Sequence, residues 1–307
     1  MKGRLLKHEE LAKYTSWRVG GPADRLYIPR DRQDLVEFIK ALPDDEPVFW
    51  MGLGSNLLVR DGGIRGTVIN TKGRLKEMKL TGGCNAPISM AIFPPSQEAG
   101  GRIYVEAGVP CAHVARFCGE RGLIGAEFLA GIPGTMGGAL KMNAGAFGGE
   151  TWAIVDSVEM LDASGNVTCR KPEEFKVSYR SVKGFENEWF LSCLLTLQQG
   201  DTTESRQKIK GLLEKRGATQ PTNQPSCGSV FKNPEGDYAA RLIEQTGLKG
   251  YAIGGACVSE KHANFIVNTG NATAADIESL IYYVQDKVEQ QQGVILQTEV
   301  CMVGDAI

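Results

Sequence analysis

The sequence predicts an α+β protein built in two parts, on three observations. Short apolar runs bounded by glycine, proline and asparagine read as strands, and charged stretches with helical apolar periodicity read as helices. Near residues 200–205 a strand gives way to the polar run Gln198-Gln199-Gly200-Asp201-Thr202, which marks a boundary. A length of 307 residues suits this division, since a domain takes roughly 100–200 residues. Apolar residues at 42% and charged residues at 23% exclude a disordered chain, a collagen and a coiled coil. Thirty-four Lys+Arg against 36 Asp+Glu leave a formal charge of -2, without the basic excess of a general nucleic-acid binder. The 38 glycines are the anomaly, at about 12% against roughly 7% in average proteins. So much glycine means tight backbone, which in a soluble chain often lies against a ligand.

Along the chain, residues 1–70 read as β-rich with one helix, begun by Asp31 and carrying Leu35, Val36, Phe38 and Ile39. Pro47–Met51 is a strand running into Gly52-Leu-Gly-Ser-Asn56, and Val68–Asn70 is another. Thr81–Arg102 reads as a hairpin with a long loop. Ala112–Gly122 is a helix closed by glycine, Val155–Leu161 with Val167–Cys169 is a hairpin, and Phe190–Leu197 is a strand. A charged helix over Thr203–Arg216 and a loop over 217–235 with three prolines follow. The last unit has a helix Tyr238–Gln245, a turn Gly247–Gly250, strands around 251–268, a helix Ala274–Gln291 and a final strand Leu296–Val303. The first residues lack the apolar core of a signal peptide, and no 18-residue apolar stretch occurs. Eight scattered cysteines without a C-x-x-C read as reduced thiols, so a cytoplasmic protein without membrane association is expected. No His/Cys cluster has zinc spacing, so no metal is expected.

Two glycine-rich loops carry the binding signal. Gly52-Leu-Gly54-Ser55-Asn56 follows a buried strand, and two glycines one residue apart let successive N–H groups turn toward one point, an anion nest suited to a pyrophosphate. The alternative is a plain strand–turn–strand hairpin; the pattern is neither G-x-G-x-x-G nor a P-loop. The second loop spans Gly125–Ala139 and continues through Met142–Glu150, with almost no side chains beyond the backbone. It reads as a surface that admits a flat ligand close to the main chain, or as a packing corner between two sheets. Together the loops point to a dinucleotide with a planar ring system.

These residues fall in a pattern that resembles the UDP-N-acetylenolpyruvoylglucosamine reductases over nearly the whole chain. The markers are Thr15-Ser-Trp-Arg-Val-Gly-Gly21, Gly52-Leu-Gly-Ser-Asn-Leu-Leu-Val-Arg-Asp-Gly-Gly63, Gly131-Ile-Pro-Gly-Thr-Met-Gly-Gly138 and Met142-Asn-Ala-Gly145. They continue with Tyr179-Arg180, Gly228-Ser-Val-Phe-Lys-Asn-Pro234, Gly247-Leu-Lys-Gly250, His262-Ala-Asn-Phe-Ile-Val-Asn268 and Gly293-Val-Ile-Leu-Gln-Thr-Glu-Val300. The resemblance implies a two-part FAD-binding domain of the vanillyl-alcohol-oxidase type, over residues 1–70 and 71–202, and a substrate domain over 203–307. It implies FAD contacts at Gly52, Gly54, Ser55, Asn56 and Leu57 in the first loop. In the second they are Gly131, Ile132, Gly134, Thr135, Gly137 and Gly138, followed by Asn143 and Gly145. The three histidines, His8, His113 and His262, lie outside the first loop, so the FAD is expected to be non-covalent.

The implied activity is the NADPH-dependent reduction of UDP-N-acetylglucosamine enolpyruvate to UDP-N-acetylmuramate, a peptidoglycan precursor, by a monomer or weak oligomer. Arg180 and Glu299 would stabilise an enolate-like intermediate, the arginine because its guanidinium is a fixed fork for a carboxylate. Ser229 would protonate carbon. Tyr179, Gln220, Lys232 and Asn233 would meet the nucleotide substrate. Without the family, each of these reads equally as ordinary surface, loop or strand polarity. Strand alternation puts Gln297, Glu299 and Cys301 on one face and Leu296, Thr298 and Val300 on the other. His262, before the apolar run Phe265-Ile-Val267, reads as structural. Two departures stand out. Tyr14 replaces an asparagine frequent in the family, and only 48 residues separate Arg180 from Ser229, which marks a short form without the inserted tyrosine loop.

Overall fold

A computed structural model describes residues 2–81 and 101–307. The first sheet has the order Arg4–Glu10, Pro22–Ile28, Ile64–Asn70, Val48–Met51. Its first pair is antiparallel and the other two are parallel. The parallel step from Pro22–Ile28 needs a crossover, which the helix Arg32–Lys40 supplies. Asp31 caps that helix by accepting the Asp34 N–H at 2.9 Å. Its buried Leu35, Phe38 and Ile39 face Tyr27 and Ile69, with the Tyr27 and Phe38 rings stacked at 3.6 Å.

The second sheet is antiparallel, in the order Val167–Arg170, Val155–Asp162, Glu188–Gln199, Gly101–Glu106, Met78–Thr81. The expected hairpin around Ala163-Ser-Gly165 is present as the pair Val155–Asp162 and Val167–Arg170. Met78–Thr81 and Gly101–Glu106 pair as the two arms around the expected long loop, which itself lies outside the described residues. Helices Cys111–Gly119 and Met136–Met142 bury Val114, Ala139 and Leu140 in one cluster with Ile103, Met160 and Leu195. The charged helix Thr202–Thr219 joins this layer: its Ser205 hydroxyl donates to Glu127 at 3.0 Å, and Ile209 packs on the same cluster.

The C-terminal unit sets a three-stranded sheet, Ala252–Ile253, Ala256–Val258 and Ile266–Asn268, against helices Ala239–Gln245 and Ala274–Gln292. The longer helix buries Ile277, Leu280, Ile281, Val284 and Val288, a stripe at helical spacing. Of the contacts that bind this unit to the N-terminal segment, three groups show how. Trp17, 0% exposed, donates its indole N–H to the Ile266 carbonyl at 2.7 Å and accepts at its own carbonyl from Asn268 at 2.9 Å. Asp61 caps the long helix through the N–H groups of Ala274 and Ala275 at 3.0 and 2.9 Å. Cys301–Val303 pairs in parallel with Leu57–Val59, which directly follows the first glycine loop.

The expected final strand Leu296–Val303 is corrected here: only Cys301–Val303 is a strand. The Val230 carbonyl accepts from both Glu299 N–H at 2.8 Å and Val300 N–H at 3.3 Å. One acceptor serving two successive donors breaks the ladder, and a single bridge joins Thr298 to Phe231. The alternation holds only at the ends, with Leu296 and Val300 buried and Gln297 and Cys301 exposed, while Thr298 and Glu299 are both half-buried. Among the described residues no helix is long and apolar enough to cross a membrane.

Candidate active site

The two glycine loops face each other. A Cβ on Gly52 would stand 2.4 Å from the Thr135 Oγ1, and one on Gly134 would stand 3.5 Å from the Ser55 Oγ. Gly54, at φ 62°, closes on the Tyr14 carbonyl, and its own carbonyl accepts from the Ser16 N–H at 3.2 Å. Gly131 abuts Phe147 and Gly137 abuts Ala107, so these two serve packing, whereas a Cβ on Gly134 or Gly138 would make only ordinary van der Waals contact, with the Ser55 Oγ at 3.5 Å and the Thr135 Oγ1 at 3.9 Å. Ile132 and Thr135 are buried between the loops, and Leu57 begins the strand that meets Cys301.

A cleft of about 400 Å³ opens beside these loops, lined by Leu53, Ser55, Pro133, Gln220, Gly228 and Phe265 among others. Arg18, Lys72 and Arg216 also line it, and no carboxylate does among the described residues. Arg216 donates to the Gln220 side chain at 3.2 Å, and burial pulls its guanidinium below the usual arginine range. A cleft beside two glycine loops, lined by three cations and by no anion among the described residues, suits a dinucleotide phosphate. Sequence reasoning singled out neither Lys72 nor Arg216, and it quoted Arg18 without a role. Isolated basic residues carry no pattern until the fold gathers them.

At the end of the second loop Arg180 pairs with Glu299, and the segment that carries Ser229 bonds to the Glu299 backbone through Val230. Arg180 donates from Nε to Glu299 Oε1 at 2.9 Å, from Nη2 to the Gly145 carbonyl at 2.8 Å and from Nη1 to the Asn143 carbonyl at 3.4 Å. The two side chains of the ion pair are 16% and 12% exposed. Burial pushes the Glu299 carboxyl above the ordinary glutamate range, against the opposing pull of Arg180 and then of Lys232. Ser229 lies one residue before Val230, whose carbonyl holds the Glu299 and Val300 N–H groups. Gly228, which lines the cleft, precedes it at φ 76° with nothing within 4 Å of a Cβ position, and Ser229 itself is half-buried. Asn264, buried, clamps the next turn of chain by exchanging two bonds with Phe231 at 2.9 and 2.8 Å.

Other expected residues have different partners. Asn56 donates to the Glu299 carbonyl at 3.1 Å, which couples the first glycine loop to the ion pair. Asn143 has its side chain engaged by protein on every side. Asn233 accepts from Ala239 N–H at 3.1 Å at the start of a helix. Lys232 stands near enough to Glu299 to act on its charge, and Gln220 lines the cleft. Tyr179 is 46% exposed, with the Arg180 guanidinium 5.1 Å from its ring centre.

Two protein families match successive parts of the chain. The FAD binding domain family matches residues 23–170, and the C-terminal domain of UDP-N-acetylenolpyruvoylglucosamine reductase matches residues 220–303. A UDP-N-acetylenolpyruvoylglucosamine reductase of Methylococcus capsulatus is 58% identical over 306 residues, covering 99% of this chain and 95% of that protein. The protein of that name from Alkalilimnicola ehrlichii is 54% identical, covering 99% of this chain and 96% of its own. Among solved structures, the UDP-N-acetylenolpyruvylglucosamine reductase (MurB) of Thermus caldophilus superposes with a TM-score of 0.79 at 30% identity, over 99% of this chain and 100% of that one. The glycine loops, the cationic cleft and near-full-length identity above one half agree, and the chain belongs to the UDP-N-acetylenolpyruvoylglucosamine reductase family.

Proposed function

We propose that this enzyme uses NADPH to reduce UDP-N-acetylglucosamine enolpyruvate to UDP-N-acetylmuramate, with Arg180, Glu299 and Ser229 as its catalytic residues. FAD bound between the two glycine loops would supply the hydride, taken from NADPH and passed to the terminal enolpyruvyl carbon. The protein then has to manage the charge left on the substrate. Three of the five Arg180 N–H groups are taken by Glu299, Asn143 and Gly145, so two remain for the substrate carboxylate. Glu299, kept protonated further up the pH scale by burial, donates a hydrogen bond to the developing enolate. Ser229 delivers the proton to the carbon that carries the charge. Arg18, Lys72 and Arg216 hold the phosphates of the nucleotides in the cleft. Tyr179, Gln220 and Lys232 meet the UDP-sugar at its rim, and Asn233 does so through the amide N–H₂ left over from its helix contact.

The observation that carries this reading is the Arg180–Glu299 pair at 2.9 Å, with the Ser229 segment bonded to the backbone of the same glutamate. Neither half of the pair is near the other in sequence. The test is anaerobic. Protein loaded with FAD is expected to bleach on NADPH and to recover its absorbance on the enolpyruvyl nucleotide. Protein that takes up no FAD, or that bleaches and never recovers with this nucleotide, contradicts the proposal.

A further inference from the structure

We infer that Asn143, with Glu150 behind it, is a positioning residue that fixes Arg180 over the substrate; this rests on the reading of Arg180 just given. The physical problem is the location of Arg180. Lys176–Ser178 and Ser181–Lys183 form a two-stranded hairpin outside the larger sheets, seated on the core only through the buried Val182 of its second strand, and Tyr179-Arg180 is its two-residue tip. All of Lys176, Val177, Ser178 and Tyr179 are exposed. A two-stranded ribbon is marginal by itself, so a catalytic group at its tip needs an anchor outside it. Arg180 also has φ 51°, a left-handed conformation that a non-glycine residue holds only when its surroundings impose it.

Asn143 is that anchor. It is 1% exposed and ends the helix Met136–Met142 at φ 46°. Its Oδ1 accepts the Trp152 N–H at 3.1 Å, and its Nδ2 donates to the Ser178 carbonyl at 3.2 Å and to Glu150 Oε2 at 2.9 Å. Both amide hydrogens are therefore spent inside the protein. The bond to Ser178 holds the hairpin at the residue before its tip. The Asn143 carbonyl holds the guanidinium itself through Nη1, and the Gly145 carbonyl two residues on takes Nη2. One residue thus grips Arg180 at the root of its turn and at the end of its side chain. Glu150 fixes the amide plane that makes the first grip possible. An error of about 1 Å in such a group can cost about a hundredfold in rate, so the expected effect falls on the step that uses Arg180.

The test uses FAD-loaded enzyme and measures the two half-reactions separately. Asn143→Gly keeps the left-handed backbone and the carbonyl to Arg180 while removing all three side-chain bonds. Flavin reduction by NADPH is expected to stay within about threefold of the parent, and reoxidation by the enolpyruvyl nucleotide to slow by about 10- to 100-fold. In an Arg180→Ala background the same change is expected to add no further slowing. Glu150→Ala, which spares Asn143 and a buried helix end, is expected to slow reoxidation several-fold with the same non-additivity, and Glu150→Gln, which still accepts the bond, to restore it. Equal slowing of both half-reactions, or the same added factor in the Arg180→Ala background, overturns the positioning role. Should Asn143→Gly fail to hold FAD, the Glu150 variants decide, and parental reoxidation by Glu150→Ala overturns it. Parental reoxidation by Arg180→Ala alone strikes out the catalytic reading of Arg180 instead.

Discussion

Replacing Glu299 by glutamine and by alanine separates two things this residue could do in the reaction. The carboxyl is 12% exposed, its Oε1 accepts from Arg180 Nε at 2.9 Å, and its backbone is fixed by Val230 and Asn56. Burial raises its pKa and wins over the pull of Arg180 and Lys232. A protonated acid donates a hydrogen bond, and so does the amide of glutamine. If donation is the role, Glu299→Gln keeps reoxidation within about tenfold, while Glu299→Ala loses the donor and about 10²–10³-fold, the cost of one preorganised donor to a developing oxyanion. The pH dependence has a definite sign. The active form is the acid, so the parental rate is highest below the raised pKa and falls as pH rises through it, about tenfold per unit beyond. Glu299→Gln, which does not titrate, lacks this fall. The assay is anaerobic single turnover: enzyme reduced with NADPH and freed of NADP is mixed with the enolpyruvyl nucleotide across pH, and the return of flavin absorbance is followed. A glutamine variant as slow as the alanine one, or a parental rate that rises through the same window, refutes the donor role and leaves Glu299 as an anion that merely orients Arg180.

Two further outcomes follow from the same geometry. Ser229→Ala should bleach normally with NADPH yet reoxidise slower by about 10²–10⁴-fold, the range of lost proton transfer, and equal loss in both half-reactions would count against a proton donor. Gly52→Ala puts a methyl 2.4 Å from Thr135 Oγ1 and should force the loops apart, costing about 1–3 kcal/mol of stability and lowering FAD content. Adding Thr135→Ala removes that oxygen and should recover part of both; a double variant no better than Gly52→Ala would show that the loops meet by some other contact.

Much of this architecture was legible in the residues because local chemistry marks it. Asp31 before Leu35 and Phe38 announced a capped helix, and Ala163-Ser-Gly165 announced a hairpin, since both signals act within a few residues. The end of the chain was harder. Apolar alternation over Leu296–Val300 read as a strand, but the Val230 carbonyl that takes two donors belongs to a segment about 70 residues earlier. The glycine loops were visible as composition, while their separate tasks were not: Gly131 and Gly137 leave room for neighbouring side chains, and Gly134 stands at ordinary contact distance from Ser55 of the facing loop. The asparagines were the least legible. Asn56 and Asn143 stand in loops that suit a phosphate, and the fold also turns an Asn56 amide N–H to the Glu299 carbonyl and the Asn143 amide to Ser178 and Glu150. A polar side chain in a glycine loop has two possible clients, and only the folded chain decides between them. The family resemblance, not spacing, brought Arg180, Ser229 and Glu299 onto one page.

The most direct test of convergence at the enolpyruvyl group is a crystal structure of the Ser229→Ala enzyme with FAD and the enolpyruvyl nucleotide both bound. The substrate carboxylate should lie within hydrogen-bond distance of the two free Arg180 N–H groups, with Glu299 beside it. The methyl left at position 229 should face the carbon that becomes protonated. A nucleotide seated with its enolpyruvyl end remote from Arg180, or with residue 229 on the far side of the carboxylate from that carbon, would contradict the account.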